Sequence, residues 1–337
     1  MVWRVTERIA VIGSNSFTGA TFVATAFDAG AEVVGISRSA QPATPFLPYK
    51  WTDHAHRSPR FEFVQLDLNT HTREIAERIR EFRPQYVVNF AAQSMVAESW
   101  QYPDQWYQTN VVANVRLHDQ LRHMDFLERY VHVSTPEVYG SCTGTVTEGA
   151  RFNPSTPYAA SRAACDLHLL TFFKQYNFPV AFTRAANVYG PGQQLYRIIP
   201  RTVLFVTLGR KLQLHGGGAS VRSFIHAKDV ADATLRIARR GRSGDAYHLS
   251  TSRYVSIREV VEIICARMGT DFSDVVEVAA ERPGKDAAYL LDSSKARREL
   301  GWQDCITLEQ GIDETIAWVR ANLSTLESSP RNYEHKA

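Results

Sequence analysis

Five short runs rich in Val, Ile and Phe recur through the first part of the chain: RIAVIGS, AEVVGIS, FEFVQLDL, YVVNFAAQS and RYVHVST. Each is too apolar for a strand that buries only one face, so each needs cover on both sides. Helical stretches such as TGATFVATAFDAG and TREIAERIREFRP lie between them and supply that cover. The alternation predicts an α/β fold, a Rossmann-type doubly wound parallel sheet. VAFTRAANVYG reads as one further strand. The second half is mixed, with IREVVEIICARMG and LEQGIDETIAWVRANL as amphipathic helices, and it predicts a smaller mixed α/β C-terminal part. The expected division is 1–190 for dinucleotide binding with 223–250 returning to it, 191–222 and 251–325 for substrate, and 326–337 as a frayed polar tail. The connection from Arg38 to Arg60 holds four prolines and is long enough to cover a site.

Composition narrows the partners. The 337 residues are 44% hydrophobic and 22% charged, with a formal charge of +3 from scattered basic residues. That disfavours nucleic acid as the main partner and leaves room for an anionic ligand in a local basic pocket. No apolar run approaches the ~18 residues of a membrane span. Charges run through MVWRVTERIAVIG, where a signal peptide would be apolar, so a cytoplasmic location is expected. Cys142, Cys165, Cys265 and Cys305 show no C-x-x-C and no zinc spacing, and read as reduced thiols with no metal site.

Three stretches carry chemistry. VIGSNSFTGA follows the first strand and opens a helix, with Gly13 and Gly19 at the outer positions of a glycine turn and Ser16 in the middle. Such a turn lets the backbone approach a pyrophosphate at a helix N-terminus. After the second strand stand Ser37 and Arg38, with no acid for ribose hydroxyls. Arg38 there favours NADP, against the plainer reading of a solvated loop arginine. Asp67 is either a cap on the adenine pocket or a turn residue. VHVSTPEVYG brings Thr135 and Glu137 to the carboxyl edge of the sheet, where open α/β folds bind ligands. A glutamate there can serve as a base. Finally, YAASR places Tyr158 and Arg162 one helical turn apart. Taken alone that spacing is common in any helix.

Together these stretches resemble the extended short-chain dehydrogenase/reductase family, in particular the nucleotide-sugar 4,6-dehydratases of the dTDP-glucose and GDP-mannose type. NFAAQSMVAES, STPEVYG, NPSTPYAASR, NVYGPGQ, IIPRTV, VRSFIHAKDVADA, ERPGKD and RRELGW follow one another in family order over nearly the whole chain. The resemblance implies that Thr135, Tyr158 and Arg162 form the dehydrogenase site and that Glu137 removes the sugar's C5 proton. It implies a nicotinamide cofactor, NADP with NAD as the alternative, held by Gly13, Asn15, Ser16, Phe17, Thr18 and Gly19 of the turn. Ser37, Arg38, Asp67, Leu68, Ala91, Ala92 and Gln93 would hold it too, with Tyr158 and Arg162. For the nucleotide-diphosphate-sugar substrate it implies Ser94, Glu137, Asn187, Arg197, Leu214, Arg222 and Arg282. It also implies a homodimer built on the helix led by Tyr158 and the one spanning Tyr107 to His123.

Three positions depart from the family pattern. Arg162 replaces a lysine, Pro136 replaces an aspartate that acts as general acid in the dTDP-glucose type, and Ser16 replaces a glycine. Arginine can in principle supply the lysine's charge beside the tyrosine and its hydrogen bond to the nicotinamide ribose. The sequence leaves two other readings open: a 4-epimerase or decarboxylase on the same scaffold, and a catalytically silent nucleotide-binding protein.

Overall fold

The structure, a computed structural model, describes residues 6–51, 61–142, 144–280 and 290–336. Its strands are β1 Arg8–Ile12, β2 Glu32–Ser37, β3 Phe61–Gln65, β4 Tyr86–Asn89, β5 Arg129–Val133, β6 Thr145–Val146, β7 Val180–Ala185, β8 Asn187–Tyr189, β9 Leu212–His215, β10 Val221–His226, β11 Ala246–Leu249, β12 Tyr254–Ser256, β13 Val276–Ala279 and β14 Leu290–Leu291. Seven of them form one sheet in the order β11-β7-β5-β4-β1-β2-β3. Every neighbouring pair in it is parallel. Chain order reverses at β1, so a crevice opens between the carboxyl ends of β1 and β4.

Both faces of this sheet are covered, and the side-chain period of two decides what each face meets. Ile9 and Val11 of β1 pack with Phe22, Val23 and Phe27 of α1 (Phe17–Asp28). Ala10 and Ile12 point the other way, to a cluster that includes Ile75 and Ile79 of α2 (Thr72–Phe82). Leu117 and Leu121 of α3 (residues 103–121) and Leu169 of α4 (Pro157–Tyr176) belong to that second cluster. α3 is an α-helix interrupted by a π turn at Gln108–Ala113.

The remaining elements build a smaller mixed unit. β8, β10 and β12 form a three-stranded sheet, and β9 pairs with β13. A second core gathers Tyr189, Leu195, Ile199, Val260, Ile312 and Trp318. No helix among the described residues is long and apolar enough to cross a membrane.

Three expectations change. VAFTRAANVYG is two strands, because the chain leaves the large sheet at Ala186 and β8 pairs with β10 instead. The seventh strand, Ala246–Leu249, is too short and too polar at its start to stand out in the sequence. The tail is not frayed: residues 330–336 fold back against the crevice, where Lys336 accepts hydrogen bonds from two strand ends. The long connection after β2, as far as residue 51, buries Leu47 and Tyr49 in the core and sends Phe46 to the crevice wall.

Candidate active site

Two cavities, of about 610 and 830 Å³, meet at the carboxyl edge of the sheet. They share Ser16, Phe90, Ala92, Gln194 and Tyr196, and so form one continuous cleft. Its floor is the turn between β1 and α1. Gly13 has φ of +83°, and a Cβ there would stand 2.7 Å from the Ala91 nitrogen. A Cβ on Gly19 would stand 2.2 Å from the Gly13 carbonyl oxygen. Only glycine fits either position. Ser16, in contrast, has φ of −70° and caps α1: its Oγ accepts from the Gly19 nitrogen at 3.1 Å and donates to the Gly13 carbonyl at 2.7 Å. The middle position needs no left-handed backbone here, and a serine suits an N-cap.

The smaller cavity is the nucleotide end. Asn15 joins the turn to the β2 edge, with its backbone nitrogen donating to Ser37 Oγ at 3.0 Å and its Nδ2 to the Ser39 carbonyl at 2.9 Å. Arg38 lines this cavity directly after Ser37 at the β2 edge, and Asp67 and Glu334 line it too. Asp67 turns its carboxylate to its own loop, accepting from the Asn69 nitrogen at 2.8 Å, while Leu68 is buried beside it. Ala91, Ala92 and Gln93 continue from β4 along the opposite wall. Gln93 is held there by Asn110, whose Oδ1 accepts from the Gln93 nitrogen and whose Nδ2 donates to the Gln93 carbonyl, both at 2.9 Å. Asn110 also donates to Ser161 Oγ of α4 at 2.9 Å. It sits in the π turn of α3, a distortion that recurs at functional sites.

The larger cavity brings Thr135, Glu137, Tyr158 and Arg162 together. Thr135 ends the β5 edge and caps the short turn Pro136–Tyr139, its Oγ1 accepting from the Glu137 nitrogen at 3.3 Å. Pro136 is the first residue of that turn, the position where a missing N–H costs least, and it is buried. Tyr158 enters the cleft because Thr156 and Pro157 start α4 just before it; Thr156 Oγ1 accepts from the Ala159 nitrogen at 3.1 Å. The Tyr158 hydroxyl stands near the Thr135 side chain. Burial and the neighbouring Glu137 carboxylate push the Tyr158 phenol above its usual range, and Arg162, Thr135 and Arg197 pull the other way. Arg162 is only 1% exposed. Its Nη2 donates to the Val133 carbonyl and to His132 Nε2, the latter at 3.1 Å. Its Nε and Nη1 find no hydrogen-bond partner among the described residues. One edge of the guanidinium is thus clamped to β5, and the residue lines the larger cavity while Nε and Nη1 stay buried beneath its wall.

Phe17, Thr18, Ser94, Asn187, Arg197 and Leu214 line the larger cavity as well. Arg222 does not line either cavity; its Nη1 turns back to the Val221 carbonyl at 2.8 Å, at the end of β10. Arg282 lies outside the described residues.

Beneath the cleft lies a buried polar network that sequence reading missed. Asp166, fully buried on α4, accepts from Ser134 Oγ at 2.7 Å and from Arg184 Nη2 of β7 at 2.9 Å. Arg184 Nη1 donates to the Tyr139 hydroxyl at 2.6 Å, and that hydroxyl pairs with His248 Nε2 of β11 at 2.8 Å. Burial, with Arg184 adding to it, pushes His248 down to about 3, so it is a neutral acceptor. His132 is likewise held well below its usual range by burial and by Arg162. The available signal was an aspartate and an arginine set within otherwise apolar stretches, a helix and VAFTRA. His118, His132 and Cys165 also bring ligand atoms within 4.8 Å of one another. A dication there would stand beside the Arg162 guanidinium, which donates to the same His132, so the set does not suit a metal.

A glycine turn at the β1/β4 crevice, beside a buried tyrosine and a clamped cation, defines a nicotinamide-dinucleotide enzyme of the doubly wound class. Comparison with known proteins narrows this. The family described as GDP-mannose 4,6 dehydratase matches residues 11–315. A dTDP-glucose 4,6-dehydratase of Xanthomonas campestris pv. campestris is 32% identical, over 95% of this chain and 93% of its own. Among solved structures, a dTDP-glucose 4,6-dehydratase of Streptomyces venezuelae with NAD bound superposes with a TM-score of 0.85 at 32% identity, covering 95% of this chain and 99% of that one. A dTDP-glucose 4,6-dehydratase of Bacillus anthracis, in complex with NAD, gives a TM-score of 0.85 at 30% identity, covering 96% and 99%. The chain belongs to the nucleotide-sugar 4,6-dehydratases of the extended short-chain dehydrogenase/reductase family.

Removing one partner from a buried ion pair strands the other charge, at a cost of about 3–5 kcal/mol. Asp166→Ala should therefore lower the unfolding free energy by about that much. Ser134→Ala, which removes one neutral donor to the same carboxylate, should cost about 1 kcal/mol. Denaturant titration of both variants checks the order; equal losses would contradict it.

Proposed function

We propose that the enzyme takes a nucleotide-diphosphate sugar through oxidation at C4, loss of water across C5 and C6, and reduction at C6, giving a 4-keto-6-deoxy sugar. The observation that carries this is the convergence of Thr135, Glu137, Tyr158 and Arg162 on one cavity wall. The nicotinamide ring, when bound, accepts a hydride from C4 and returns it to C6. Tyr158, as phenolate, removes the proton of the 4-hydroxyl, with Thr135 beside it on the same wall. Arg162 offers its charge to the phenolate. Once C4 is a ketone, the C5 proton is acidic, and Glu137 takes it. After loss of water, hydride addition at C6 leaves an enolate that gains a proton at C5 from solvent, and Tyr158 returns the 4-hydroxyl proton to solvent, so the sum is loss of one water. Pro136 carries no proton, so the same turn has one acid to serve the elimination: Glu137 passes its proton to the departing 6-hydroxyl, which leaves as water. An epimerase needs no such base at C5.

The dinucleotide is proposed to be NADP, because Ser37 and Arg38 stand at the β2 edge where an NAD site usually carries an acid; NAD, bound by the relatives named above, is the alternative. Asn187, Arg197, Ser94 and Leu214 are proposed to meet the sugar nucleotide, with Arg222 and Arg282 retained only from the family pattern. The residues 1–190 and 223–250 are proposed as the dinucleotide part, and 191–222 with 251–325 as the substrate part. A cytoplasmic homodimer completes the proposal. α3 and α4 pack side by side and leave Tyr107, Val112 and Leu167 exposed, the last at 54%, which supports a second copy of the chain seated there.

Glu137→Gln should still oxidise the sugar, seen as accumulating reduced-nicotinamide absorbance, and release no dehydrated product; full turnover would remove Glu137 from the elimination. Arg162→Lys should retain turnover. Arg162→Ala removes a group that lowers the Tyr158 pKa, so the rising limb of its pH–rate profile should move to higher pH. At neutral pH the rate should fall at least about tenfold, one pKa unit being about 1.4 kcal/mol; an unshifted profile would contradict the assignment. Affinities of NADP and NAD for the cofactor-free protein, with and without Arg38→Ala, test the cofactor choice: NADP should bind more tightly, and the substitution should erase the difference. Light scattering at micromolar concentration should give a dimer mass, and a monomer mass would contradict the proposed interface.

A further inference from the structure

Residues 330–336 are polar, yet they lie across the nucleotide end of the cleft and are anchored at several points. His335 is stacked between Tyr102 and Trp106, with ring centroids 5.0 and 5.1 Å away and planes within 4° and 14° of parallel. Its Nε2 also pairs with Gln105 Oε1 at 2.6 Å. Tyr333 meets Tyr196 edge-on at 5.6 Å. The Lys336 carbonyl accepts from Gln93 Nε2 at 2.6 Å and from Arg38 Nη2 at 3.2 Å. These anchors lie at the start of α3, in the loop after β8, and at the ends of β2 and β4. The segment therefore bridges both walls of the crevice. It does so without filling it: the cavity of about 610 Å³ remains, bounded by Asn332, Tyr333 and Lys336 on one side and by Gly13, Asn15 and Arg38 on the other.

We infer that residues 330–336 form a strap that closes the dinucleotide's nucleotide end and retains the cofactor through successive turnovers. This rests on the dinucleotide reading above. The chemistry gives such a strap a use. The hydride removed at C4 returns to C6 of the same sugar, so the cofactor ends each cycle unchanged and its release serves no step. The sugar nucleotide has its own cavity beyond Ser16, Phe90, Ala92, Gln194 and Tyr196, and residues 330–336 line only the smaller one, so a closed nucleotide end leaves substrate entry open. Gln93 and Arg38 thereby gain a second role: each lines the cofactor cavity and holds the strap across it.

Two variants test this, a chain stopped after Ser329 and a full-length chain carrying Tyr333→Ala with His335→Ala. Each is loaded with radiolabelled dinucleotide, and release is followed after a chase with excess unlabelled dinucleotide. The shortened chain loses the stacked ring and the paired carbonyl together, each a modest contact, and should release about tenfold faster or more; the double variant, which keeps the carbonyl, should release faster by a smaller factor. Unchanged release in both variants would overturn the strap. Slower release would overturn it as well, since the segment would then be a competitor for the site. An intact chain that takes up no nicotinamide dinucleotide would instead bring down the dinucleotide reading on which the strap depends.

Discussion

One buried carboxylate, Asp166, holds the catalytic edge in register. It lies on α4, two turns beyond Tyr158, and it grips Ser134 at the end of β5 and Arg184 on β7. Those bonds fix the height of α4 over the sheet, and so set Tyr158 beside Thr135 and Arg162 against β5. Arg184 carries the same constraint on to Tyr139 and His248, at the far side of the Glu137 turn. A charged pair in such a place is a weak source of net stability compared with apolar packing, but it tolerates few geometries. Its value here lies in position.

The departures from the family pattern become intelligible on this frame. Ser16 is compatible with the cofactor turn because its backbone is extended and its hydroxyl caps α1. Pro136 stiffens the start of the Glu137 turn at the position where a missing N–H costs least. Arg162 differs most from a lysine. Its guanidinium reaches through to His132 and Val133, while the residue still lines the larger cavity. An imidazole kept neutral by burial accepts from it without repelling it.

The large sheet was legible in the sequence because strands covered on both faces cannot hide: RIAVI, EVVGIS and RYVHV are apolar almost throughout. The glycine turn was legible for a related reason, since close backbone approach admits no Cβ at Gly13 or Gly19. Thr135 and Glu137 emerged from their place at the carboxyl edge of β5, and Tyr158 and Arg162 from motifs in family order, because their spacing alone is uninformative. What escaped the reading depends on contacts between distant segments. Asp166, Arg184 and His248 form a network only after β5, β7, β11 and α4 are assembled. SSPRNYEHKA has the composition of a solvated tail, and its order comes from Tyr102, Trp106 and Gln93, more than two hundred residues away in sequence. Arg222 fits the family pattern, and the bond from its Nη1 to the Val221 carbonyl is a contact no sequence pattern announces.

The central claim is that one enzyme-held hydride makes an internal journey from C4 to C6 while water is lost. A panel of nucleotide-diphosphate sugars deuterated at C4, analysed by mass spectrometry after incubation in ordinary water, tests it directly. The account predicts a product that has lost one molecule of water and carries the deuterium at C6. A product of unchanged mass with inverted C4, a product that has lost carbon dioxide, or no turnover on any member of the panel would contradict it.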